Sequence, residues 1–315
     1  MSVGAHRGVD VLALGEPMLE FNQRVDAEGE PSYVQGFGGD TSNMAVAAAR
    51  QGARVGYLTR IGDDAFGERF VALWQREGID VRHVARDPDA PTGIYFVSHD
   101  ERGHQFSYYR TGSAASRLRP DQVPLEAVAG ARVLHVSGIS QAISVSACDA
   151  VFTAIEAARG AGTLVSYDPN LRLTLWPAAR ARAVVLETVA HADLCLPSRE
   201  DAAILFGERA PEVYVDLLLE RGAGLVALKL GRDGVLVATA EERQHVPGFA
   251  VASVDATGAG DTFDGAFVAE RLRGATLGAA ARYANAAAAL STRGYGAVEP
   301  IPRRPEVEAF LGAQD

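Results

Sequence analysis

The order of predicted strands and helices constrains the fold of this chain more than any other feature of its sequence. Val9–Glu16 predicts a buried strand, Asp40–Gln51 a helix rich in small residues, and Arg54–Gly62 a second strand. The later strand-like segments VLHVSG, TLVSYDPN and DLCLPS are each followed by a predicted helix. The other helices predicted in this part are Asp64–Glu77, Val145–Arg159, Pro177–Val189 and Arg199–Phe206. This alternation predicts a doubly wound, mainly parallel α/β sheet.

Two stretches interrupt the alternation, because strand-like segments follow one another there without a helix between them. They are residues 17–37 and residues 91–110. The second contains GIYFVSHDERGHQFSYYR, which predicts two strands joined by a turn at Asp100–Gly103. Consecutive strands of this kind do not fit a parallel sheet. We therefore expect a single α/β domain over residues 1–315, with a small β-sheet lid formed by the two stretches.

The last third of the chain contains further strands and two long helices. Its predicted strands are Leu225–Leu230, Val235–Ala238, Arg243–Val246 and Val251–Asp255, and its predicted helices are Ala259–Leu272 and Leu277–Thr292. The second helix is rich in alanine, whose small side chain lets a helix approach a sheet or a ligand closely. No repeat or low-complexity linker divides the chain.

The composition argues against several classes of protein. The chain has a formal net charge of −10 and no segment rich in lysine and arginine, which argues against a nucleic-acid or anionic-membrane surface. Its two cysteines, Cys148 and Cys195, lie in apolar segments and predict buried thiols. The seven histidines have no metal-ligand spacing. Because the sequence predicts no signal peptide and no membrane span, we expect a soluble, cytoplasmic protein.

The segment SVDATGAGDTFDGAFVAE, residues 253–270, is the strongest candidate for a chemical site. Gly258 and Gly260 flank Ala259 and permit a tight turn whose N–H groups can converge on an anion. The helix that follows adds unpaired N–H donors and a partial positive charge. Asp261 lies in its first turn, where a carboxylate serves either as a helix cap or as a catalytic group.

Two other glycine-rich segments offer further ligand contacts. GFGGDTSNMAVAAARQG leads into a helix and offers polar groups for a polyhydroxylated ligand. Those groups belong to Gly38, Gly39, Asp40 and Asn43. Lys229-Leu-Gly231-Arg-Asp-Gly234 predicts a turn between strands that could accept a nucleotide. The sequence contains neither a Walker A loop nor the dinucleotide fingerprint, which disfavours those nucleotide-binding classes.

Two long motifs in this chain resemble the signatures of the PfkB-type, ribokinase-like carbohydrate kinases. They are GGDTSNMAVAAARQGARVGYLTRIGDDAFGERF, Gly38–Phe70, and DATGAGDTFDGAF, Asp255–Phe267. The resemblance implies an α/β domain with a β lid, ATP and Mg²⁺, and phosphorylation of a sugar hydroxyl. It also implies that Asp261 is the catalytic base and that the N–H groups around Gly258, Ala259 and Gly260 form an anion hole.

The same resemblance assigns nucleotide contacts, although one family motif is altered. It points to Lys229, Gly231 and Gly234, with Asn285 near the adenine. Asn170, Arg172, Ser198, Gly258 and Gly260 complete the predicted nucleotide contacts. Where the family often has Asn-x-x-Glu, this chain has Ser198-Arg-Glu-Asp201, and Ser198 is alternatively a helix cap. No metal ligand is assigned. Asp255 either helps to form a monovalent-cation site, as in some relatives, or is an ordinary carboxylate at a strand end.

Arg110 and Arg172 favour a sugar acid as the substrate. Tyr108 and Arg110 face the same side of the second lid strand by its period of two, and Tyr95 lies on the first lid strand. Arg172 follows a buried strand at its carboxyl end, where ligands bind in open α/β sheets. Each arginine can bind a carboxylate with paired donors. The run GIYFVSHDERGHQFSYYRTGSAAS resembles the 2-keto-3-deoxygluconate kinase branch of the family.

The sequence is also compatible with other functions. DPNLRLTLWP also resembles fructokinases, which accept a neutral sugar. A relative that binds sugar without turnover is disfavoured by the intact Asp261 turn, and a nucleoside kinase is disfavoured by the two arginines. The family resemblance also leads us to expect a homo-oligomer, with the lid at the interface.

Overall fold

The computed structural model describes residues 8–25, 30–100 and 103–314, which form two β-sheets and eleven α-helices. The strands are β1 Val11–Leu14, β2 Met18–Val25, β3 Pro31–Gly38, β4 Val55–Gly62, β5 Asp80–Asp87, β6 Gly93–Asp100, β7 Gly103–Tyr109, β8 Val133–Ser137, β9 Leu164–Asp168, β10 Leu194–Cys195, β11 Leu225–Lys229, β12 Val235–Ala238 and β13 Arg243–Val246. The helices are α1 Asp40–Arg50, α2 Ala65–Arg76, α3 Leu125–Gly130, α4 Gly138–Ala142, α5 Val145–Ala161, α6 Ala178–Val189, α7 Arg199–Phe206, α8 Pro211–Glu220, α9 Ala259–Leu272, α10 Leu277–Ser291 and α11 Arg304–Gly312. In this part of the chain, no helix is long and apolar enough to cross a membrane.

The main sheet has nine strands in the order β13-β12-β11-β10-β9-β8-β1-β4-β5. From β11 to β5 neighbouring strands are parallel, whereas β12 and β13 pair antiparallel at one edge. The prediction of a doubly wound, mainly parallel sheet is therefore confirmed.

Helices cover both faces of this sheet, so its central strands are buried on both sides. In β1, Val11 and Ala13 belong to one apolar cluster, and Leu12 and Leu14 belong to another on the opposite face. The first cluster includes side chains of α1, α9 and α10, and the second includes side chains of α5, α6 and α8. This arrangement explains why β1 is an uninterrupted apolar run, and it brings the first turns of α1 and α9 to the same face of the sheet.

The second sheet is the lid, with the strand order β3-β2-β6-β7. Strands β2 and β6 are parallel, and the two outer pairs are antiparallel. These strands arise from the two stretches that interrupt the strand–helix alternation, so the predicted lid is confirmed. Residues 26–29, within the first stretch, and residues 101–102, within the predicted turn at Asp100–Gly103, lie outside the described residues.

One predicted strand was wrong. Val251–Asp255 is an irregular segment rather than a strand. The backbone N–H groups of Val254 and Asp255 both donate to the carbonyl of Thr292, at 2.7 and 3.1 Å, instead of to a neighbouring strand. The edge of the main sheet ends at β13, so the turn at Gly258 is approached by a loop that is attached to the end of α10.

The two cysteines are buried free thiols, as predicted. Burial raises the pKa of Cys195 above its ordinary range.

Candidate active site

Two adjoining cavities lie at the carboxyl ends of the parallel strands, where ligands bind in open α/β sheets. The first has a volume of about 760 Å³ and is lined by the lid, the start of α1 and the Asp261 turn. The second has a volume of about 610 Å³ and is lined by the β11–β12 turn, the loop before α9 and one face of α10. Lys229, Gly231 and Gly260 line both cavities. We call them the lid cavity and the helix cavity.

The Asp261 turn is built as its glycines predict. Gly258 has a left-handed backbone with φ 76° and forms the N-cap of α9. A Cβ atom on Gly258 would lie 2.9 Å from the carbonyl oxygen of Ala297, so this position leaves no room for a side chain. The turn therefore presents the first N–H groups of α9 at the boundary between the two cavities.

The Asp261 carboxylate forms a hydrogen bond with another helix. Asn43 Nδ2 donates to Asp261 Oδ2 at 2.8 Å. Burial raises the pKa of Asp261 to about 7, the neighbouring Asp40 adds to this, and the Asn43 hydrogen bond and the Lys229 charge oppose it. A carboxylate with this pKa can accept a proton near neutral pH. The interpretation as a mere helix cap loses its support, because the carboxylate is directed at Asn43.

The start of α1 supplies polar atoms that lack protein partners. Gly39 precedes it with φ 97°, and a Cβ atom there would lie 2.3 Å from the carbonyl oxygen of Glu16. Asp40 Oδ2 accepts from Asn170 Nδ2 at 3.2 Å. Asp40 Oδ1 and Asn43 Oδ1 are buried and have no hydrogen-bond partner among the described residues. Since buried polar atoms are normally satisfied, these two oxygens suit the hydroxyl groups of a bound ligand.

The lid contributes three aromatic side chains to the lid cavity. Tyr95, Phe106 and Tyr108 line it from β6 and β7. Tyr95 also lies against Gly38, whose Cβ atom would be 2.5 Å from the tyrosine oxygen. The Tyr95 hydroxyl donates to Glu20 at 2.6 Å. Burial and the nearby Glu20 carboxylate raise the pKa of Tyr95 well above its ordinary value.

Arg110 lies in the cavity wall but is not free of protein partners. It follows the end of β7 instead of lying within the strand, yet it lines the same cavity as Tyr108. Its Nε donates to Glu16 Oε2 at 2.8 Å, and its Nη2 also contacts that carboxylate. Ser113 donates to the other oxygen of Glu16. Sequence reasoning missed Glu16, although its position just after an apolar strand was a usable signal.

Arg172 lines the lid cavity from the loop after β9. Its Nη1 donates to the carbonyl oxygen of Leu171 at 2.9 Å. Asn170, two residues earlier, has φ 34°, and no other non-glycine residue in the described part of the chain has a positive φ. Its N–H donates to Asp168 Oδ1 at 3.1 Å, which holds the loop in this uncommon conformation.

Lys229, the last residue of β11, links the sheet to α9 beside the Asp261 turn. Its Nζ donates to Asp168 Oδ2 at 3.0 Å and to Asp264 Oδ1 at 3.0 Å. These two carboxylates raise the pKa of Lys229 despite its burial, so it is a cation at every ordinary pH. Sequence reasoning missed Asp168 and Asp264, because their relation to Lys229 exists only in three dimensions.

The helix cavity contains the remaining nucleotide contacts predicted from the sequence. Gly231 and Gly234 have φ 61° and 95°, and a Cβ atom on Gly234 would lie 2.1 Å from the carbonyl oxygen of Val246. Asn285 Nδ2 donates to the carbonyl oxygens of Val246 and Pro247, each at 3.0 Å. The cavity is therefore shaped by backbone turns, with the amide of Asn285 fixing one of its walls.

Ser198 caps α7, as its alternative interpretation predicted. Its hydroxyl accepts from the Asp201 N–H at 3.0 Å, and the Asp201 side chain accepts from the Ser198 N–H at 3.1 Å. Burial raises the pKa of Asp201, and the neighbouring Asp168 adds to the shift. Both residues also line the lid cavity.

Asp255 is held by backbone and hydroxyl donors rather than standing at a strand end. It accepts from the N–H and hydroxyl of Thr257, at 2.9 and 2.6 Å, and from the N–H of Gly296 at 2.9 Å. In the described part of the chain, no group of three or more histidine, cysteine or acidic side chains is arranged to hold a metal ion. Mg²⁺ needs no such group, because it is commonly bound through phosphates, water and one or two carboxylates.

The mainly parallel sheet, the lid and the glycine turn between two cavities are the architecture of a ribokinase-like sugar kinase. The chain belongs to the pfkB family of carbohydrate kinases, whose model matches residues 10–304. It is therefore a phosphotransferase that acts on small sugars.

Its relatives include kinases for two kinds of sugar. The chain is 33% identical over 312 residues to 2-dehydro-3-deoxygluconokinase of Bacillus subtilis, covering 97% of this chain and 96% of the relative. It is 36% identical over 314 residues to the enzyme of the same name from Thermoproteus tenax, covering 97% and 95%. It is also 32% identical over 315 residues to probable fructokinase-4 of Arabidopsis thaliana, covering 96% of each. These sequence identities show the family, and they do not distinguish a sugar acid from a neutral sugar as the substrate.

Solved structures agree with this assignment. Fructokinase from Vibrio cholerae O395, bound to fructose, ADP and calcium ion, has a TM-score of 0.86 and 30% identity, covering 96% of this chain and 98% of that one. An E. coli chain described as a Ribokinase II, in complex with ATP and Mg²⁺, has a TM-score of 0.88 and 27% identity, covering 96% and 99%. These complexes support ATP and a divalent cation for this kinase.

Proposed function

We propose that this kinase transfers the terminal phosphoryl group of ATP to the terminal hydroxyl of 2-keto-3-deoxygluconate, a sugar acid. The observation that carries the proposal is that Arg110 and Arg172 lie in the wall of the cavity that also contains Asp261. Guanidinium groups match carboxylates through paired N–H donors. The two 2-dehydro-3-deoxygluconokinases support the same substrate, since each aligns with nearly the whole chain.

Asp261 acts as the general base in this proposal. Its carboxylate takes the proton from the sugar hydroxyl as the oxygen attacks the terminal phosphorus, and the bond from that phosphorus to the ADP oxygen breaks. The pKa of about 7 supports this role, because the ionised form is available near neutral pH and remains basic enough to accept a proton. The Asn43 hydrogen bond fixes one carboxylate oxygen and leaves the other for the hydroxyl.

The Asp261 turn stabilises the group in transfer. The N–H groups at Gly258, Ala259 and Gly260 form an anion hole for its equatorial oxygens, aided by the positive end of α9. Mg²⁺ bound with ATP supplies charge neutralisation on the phosphates. This chain's own contribution is therefore alignment and fixed donors, as phosphoryl transfer requires.

Sugar and nucleotide occupy the two cavities in this proposal. The sugar contacts are Gly38, Gly39, Asp40, Asn43, Tyr95, Tyr108, Arg110 and Arg172. The nucleotide contacts are Asn170, Arg172, Ser198, Lys229, Gly231, Gly234, Gly258, Gly260 and Asn285. Asp255 keeps two interpretations, as part of a monovalent-cation site beside the turn or as an ordinary structural carboxylate. The partnerless oxygens of Asp40 and Asn43 support the sugar assignment, because a polyol would satisfy both.

A neutral sugar such as fructose is the second candidate, and the charge of the lid cavity favours it. Arg110 is already paired with Glu16, which reduces its attraction for a substrate carboxylate. Six carboxylates and three basic side chains line the cavity, so its overall charge disfavours an anion. The carboxylates are Glu16, Asp40, Asp168, Glu200, Asp201 and Asp261, and the basic side chains are Arg110, Arg172 and Lys229.

A substrate panel tests the proposal. ADP release is measured by a coupled assay with ATP and Mg²⁺ and each of 2-keto-3-deoxygluconate, its galactonate counterpart, fructose, ribose and tagatose. We expect the highest kcat/KM for a sugar acid. A clear preference for fructose or another neutral sugar would reject the sugar-acid substrate. Sugar binding without ADP release from any member of the panel would reject catalysis by this chain.

Arginine variants test which side chains recognise the acid. In Arg110→Ala and Arg172→Ala we expect KM for 2-keto-3-deoxygluconate to rise by about 10-fold or more, because a charge-assisted hydrogen bond is lost. Arg119→Ala is the matched control, since Arg119 pairs with Asp121 on the surface, away from both cavities. An unchanged KM in Arg110→Ala would contradict its role in binding the acid.

The homo-oligomer expected from the family remains part of this proposal. Tyr33 and Tyr109, on the lid face turned away from the cavity, have exposed fractions of 45% and 65%. A second copy of the lid would cover these aromatic rings. Light scattering should give at least twice the mass of one chain, and the mass of a single chain at micromolar concentration would contradict it.

A further inference from the structure

Lys229 is held by two buried carboxylates that come from different elements. Its Nζ is 3.0 Å from Asp168 Oδ2, at the end of β9, and 3.0 and 3.1 Å from the two carboxylate oxygens of Asp264 in α9. The exposed fractions are 4% for Asp168 and 1% for Asp264. The lysine is therefore fixed, because moving it would leave the buried Asp168 carboxylate without its counter-ion and would break both hydrogen bonds to Asp264.

The ammonium group of Lys229 lies beside the Asp261 turn, where the two cavities adjoin. A Cβ atom on Gly260 would be 3.6 Å from Lys229 Nζ, and that lysine side chain is what it would meet outside its own helix. Gly260 is one of the residues whose N–H is proposed for the anion hole. A positive charge in this position favours the negative charge of a phosphoryl group held at the turn.

Asp264 lies one helical turn after Asp261, so the two carboxylates share a face of α9. The bonds of Lys229 attach the second turn of α9 to β11 and β9, and the bond from Asn43 attaches the first turn to α1. The catalytic turn is thus anchored to the sheet on one side and to a neighbouring helix on the other. An enzyme that works mainly by alignment depends on such anchoring.

We propose that Asp264 is a positioning residue for phosphoryl transfer, which holds the Lys229 ammonium beside the Asp261 turn. The cation stabilises the negative charge that transfer brings to the turn, and the ion pair keeps the start of α9 aligned with the substrate. This role deepens the proposed function and rests on its assignment of Asp261. Neither Asp264 nor Asp168, the other carboxylate that binds Lys229, needs to touch the substrate.

Steady-state kinetics of Asp264→Asn test this role. Asparagine keeps the shape of the side chain and one acceptor oxygen, but it can no longer offer two acceptor oxygens to Lys229. We expect kcat to fall by about 10-fold or more, because small displacements of aligned groups cost up to ~10²-fold. KM for ATP and for the sugar should change by less than about 3-fold. Both 2-keto-3-deoxygluconate and fructose are assayed, so that a wrong choice of sugar leaves the test intact.

A double-mutant cycle with Lys229→Met separates action through Lys229 from an independent effect. If Asp264 acts through the lysine, Asp264→Asn/Lys229→Met should be no slower than the slower single variant. Lys229→Met should also move the acid limb of the kcat/KM profile to higher pH, because it removes a cation that favours the ionised form of Asp261. An unchanged acid limb would show that the Lys229 charge does not act at the Asp261 turn, which would contradict the proposal.

Asp87→Asn is the matched control for loss of a buried ion pair. Asp87 pairs with Arg60 and Arg117 at the β5 edge of the sheet, away from the Asp261 turn. This variant should lower Tm and keep kcat. A wild-type kcat in Asp264→Asn, or losses that multiply in the double variant, would overturn the proposal. Normal turnover in Asp261→Asn would instead refute the base assignment, so the two failures are distinguishable.

Discussion

Asn43 donates a hydrogen bond of 2.8 Å to Asp261, joining the first turn of α1 to the first turn of α9 across 218 positions of sequence. This contact orients one carboxylate oxygen and opposes the effect of burial on the pKa of Asp261. The remaining oxygen of Asn43 is buried without a partner among the described residues. One amide group can therefore orient the base with its nitrogen and bind a sugar hydroxyl with its oxygen.

Replacing the base should abolish most of the activity without unfolding the protein. In Asp261→Asn we expect kcat to fall by about 10²-fold or more, because the amide cannot accept the hydroxyl proton. Coupled measurement of ADP release at saturating ATP and sugar checks this. Asp63→Asn is the control, since the Asp63 side chain is 62% exposed and far from the turn. Near-normal turnover in Asp261→Asn would show that another group removes the proton.

The same variant should be more stable than the wild type at alkaline pH. Burial and Asp40 raise the pKa of Asp261 from 3.8 to about 7, so the folded state holds this proton where the unfolded state has lost it. The group therefore destabilises the fold progressively as pH rises from about 4 to 7, on the order of a few kcal/mol. Asp261→Asn removes this cost, and its Tm should exceed that of the wild type by several degrees at pH 8.

The difference should disappear near pH 4, where the carboxyl group is protonated in the folded state. Thermal unfolding followed by circular dichroism at pH 4, 6 and 8 gives the comparison. Equal Tm values for the two proteins at pH 8 would mean that the ionised carboxylate is not strained by its surroundings. The ionised Asp261 would then serve as the base without lowering the stability of the fold.

Removing the Asn43 donor should shift the pH dependence of catalysis. In Asn43→Leu the ionised form of Asp261 loses a hydrogen bond, so its pKa should rise further above 7. The acid limb of the kcat/KM profile should move to higher pH by about one unit, and activity lost at pH 7 should partly return at pH 8.5.

Gln141→Met is a suitable control for the loss of a buried amide. Gln141 bonds to Thr188 and Tyr167 in the core on the opposite face of the sheet, away from the two cavities. This variant should lose stability and keep the wild-type pH profile. If Asn43→Leu loses activity equally at all pH values, then Asn43 serves in sugar binding alone.

The sequence predicted the parts of the site that depend on neighbouring residues. Gly258, Gly260 and Asp261 form one turn, and the positive φ of Gly258 is a local requirement that its residue type reveals. The lid was also predictable, because adjacent strands with no helix between them have few other arrangements.

Contacts between distant elements were not predictable in the same way. Arg110 was expected to be available for a substrate carboxylate, but Glu16, 94 positions away, already binds it. The carboxylates around Lys229 come from a strand end and a helix that only the tertiary fold brings together. Val251–Asp255 has the residue types of a strand, yet two of its N–H groups donate to the carbonyl of Thr292 at the end of α10 instead of to a neighbouring strand. Residue preferences are overridden when tertiary contacts supply the hydrogen bonds.

The turn geometry gives the last prediction, which compares two glycines of similar backbone conformation. Gly258 and Gly274 have φ 76° and 88°, and they lie at the two ends of α9. Alanine at either position adopts an unfavourable backbone, which costs about 1 kcal/mol or more. Only at Gly258 does the added Cβ meet another group, the carbonyl oxygen of Ala297 at 2.9 Å, whereas around Gly274 nothing lies within 4 Å.

Both variants should therefore lower the free energy of unfolding, but only one should lose catalysis. In Gly258→Ala the turn must move to relieve the contact with Ala297, which displaces the N–H groups of the anion hole. We expect kcat to fall by about 10²-fold, because the loss of oxyanion donors costs this much in other enzymes. Gly274→Ala should keep the wild-type kcat. Urea unfolding and saturating ADP-release rates measure the two effects, and equal kcat values in the two variants would show that the turn does not form an anion hole.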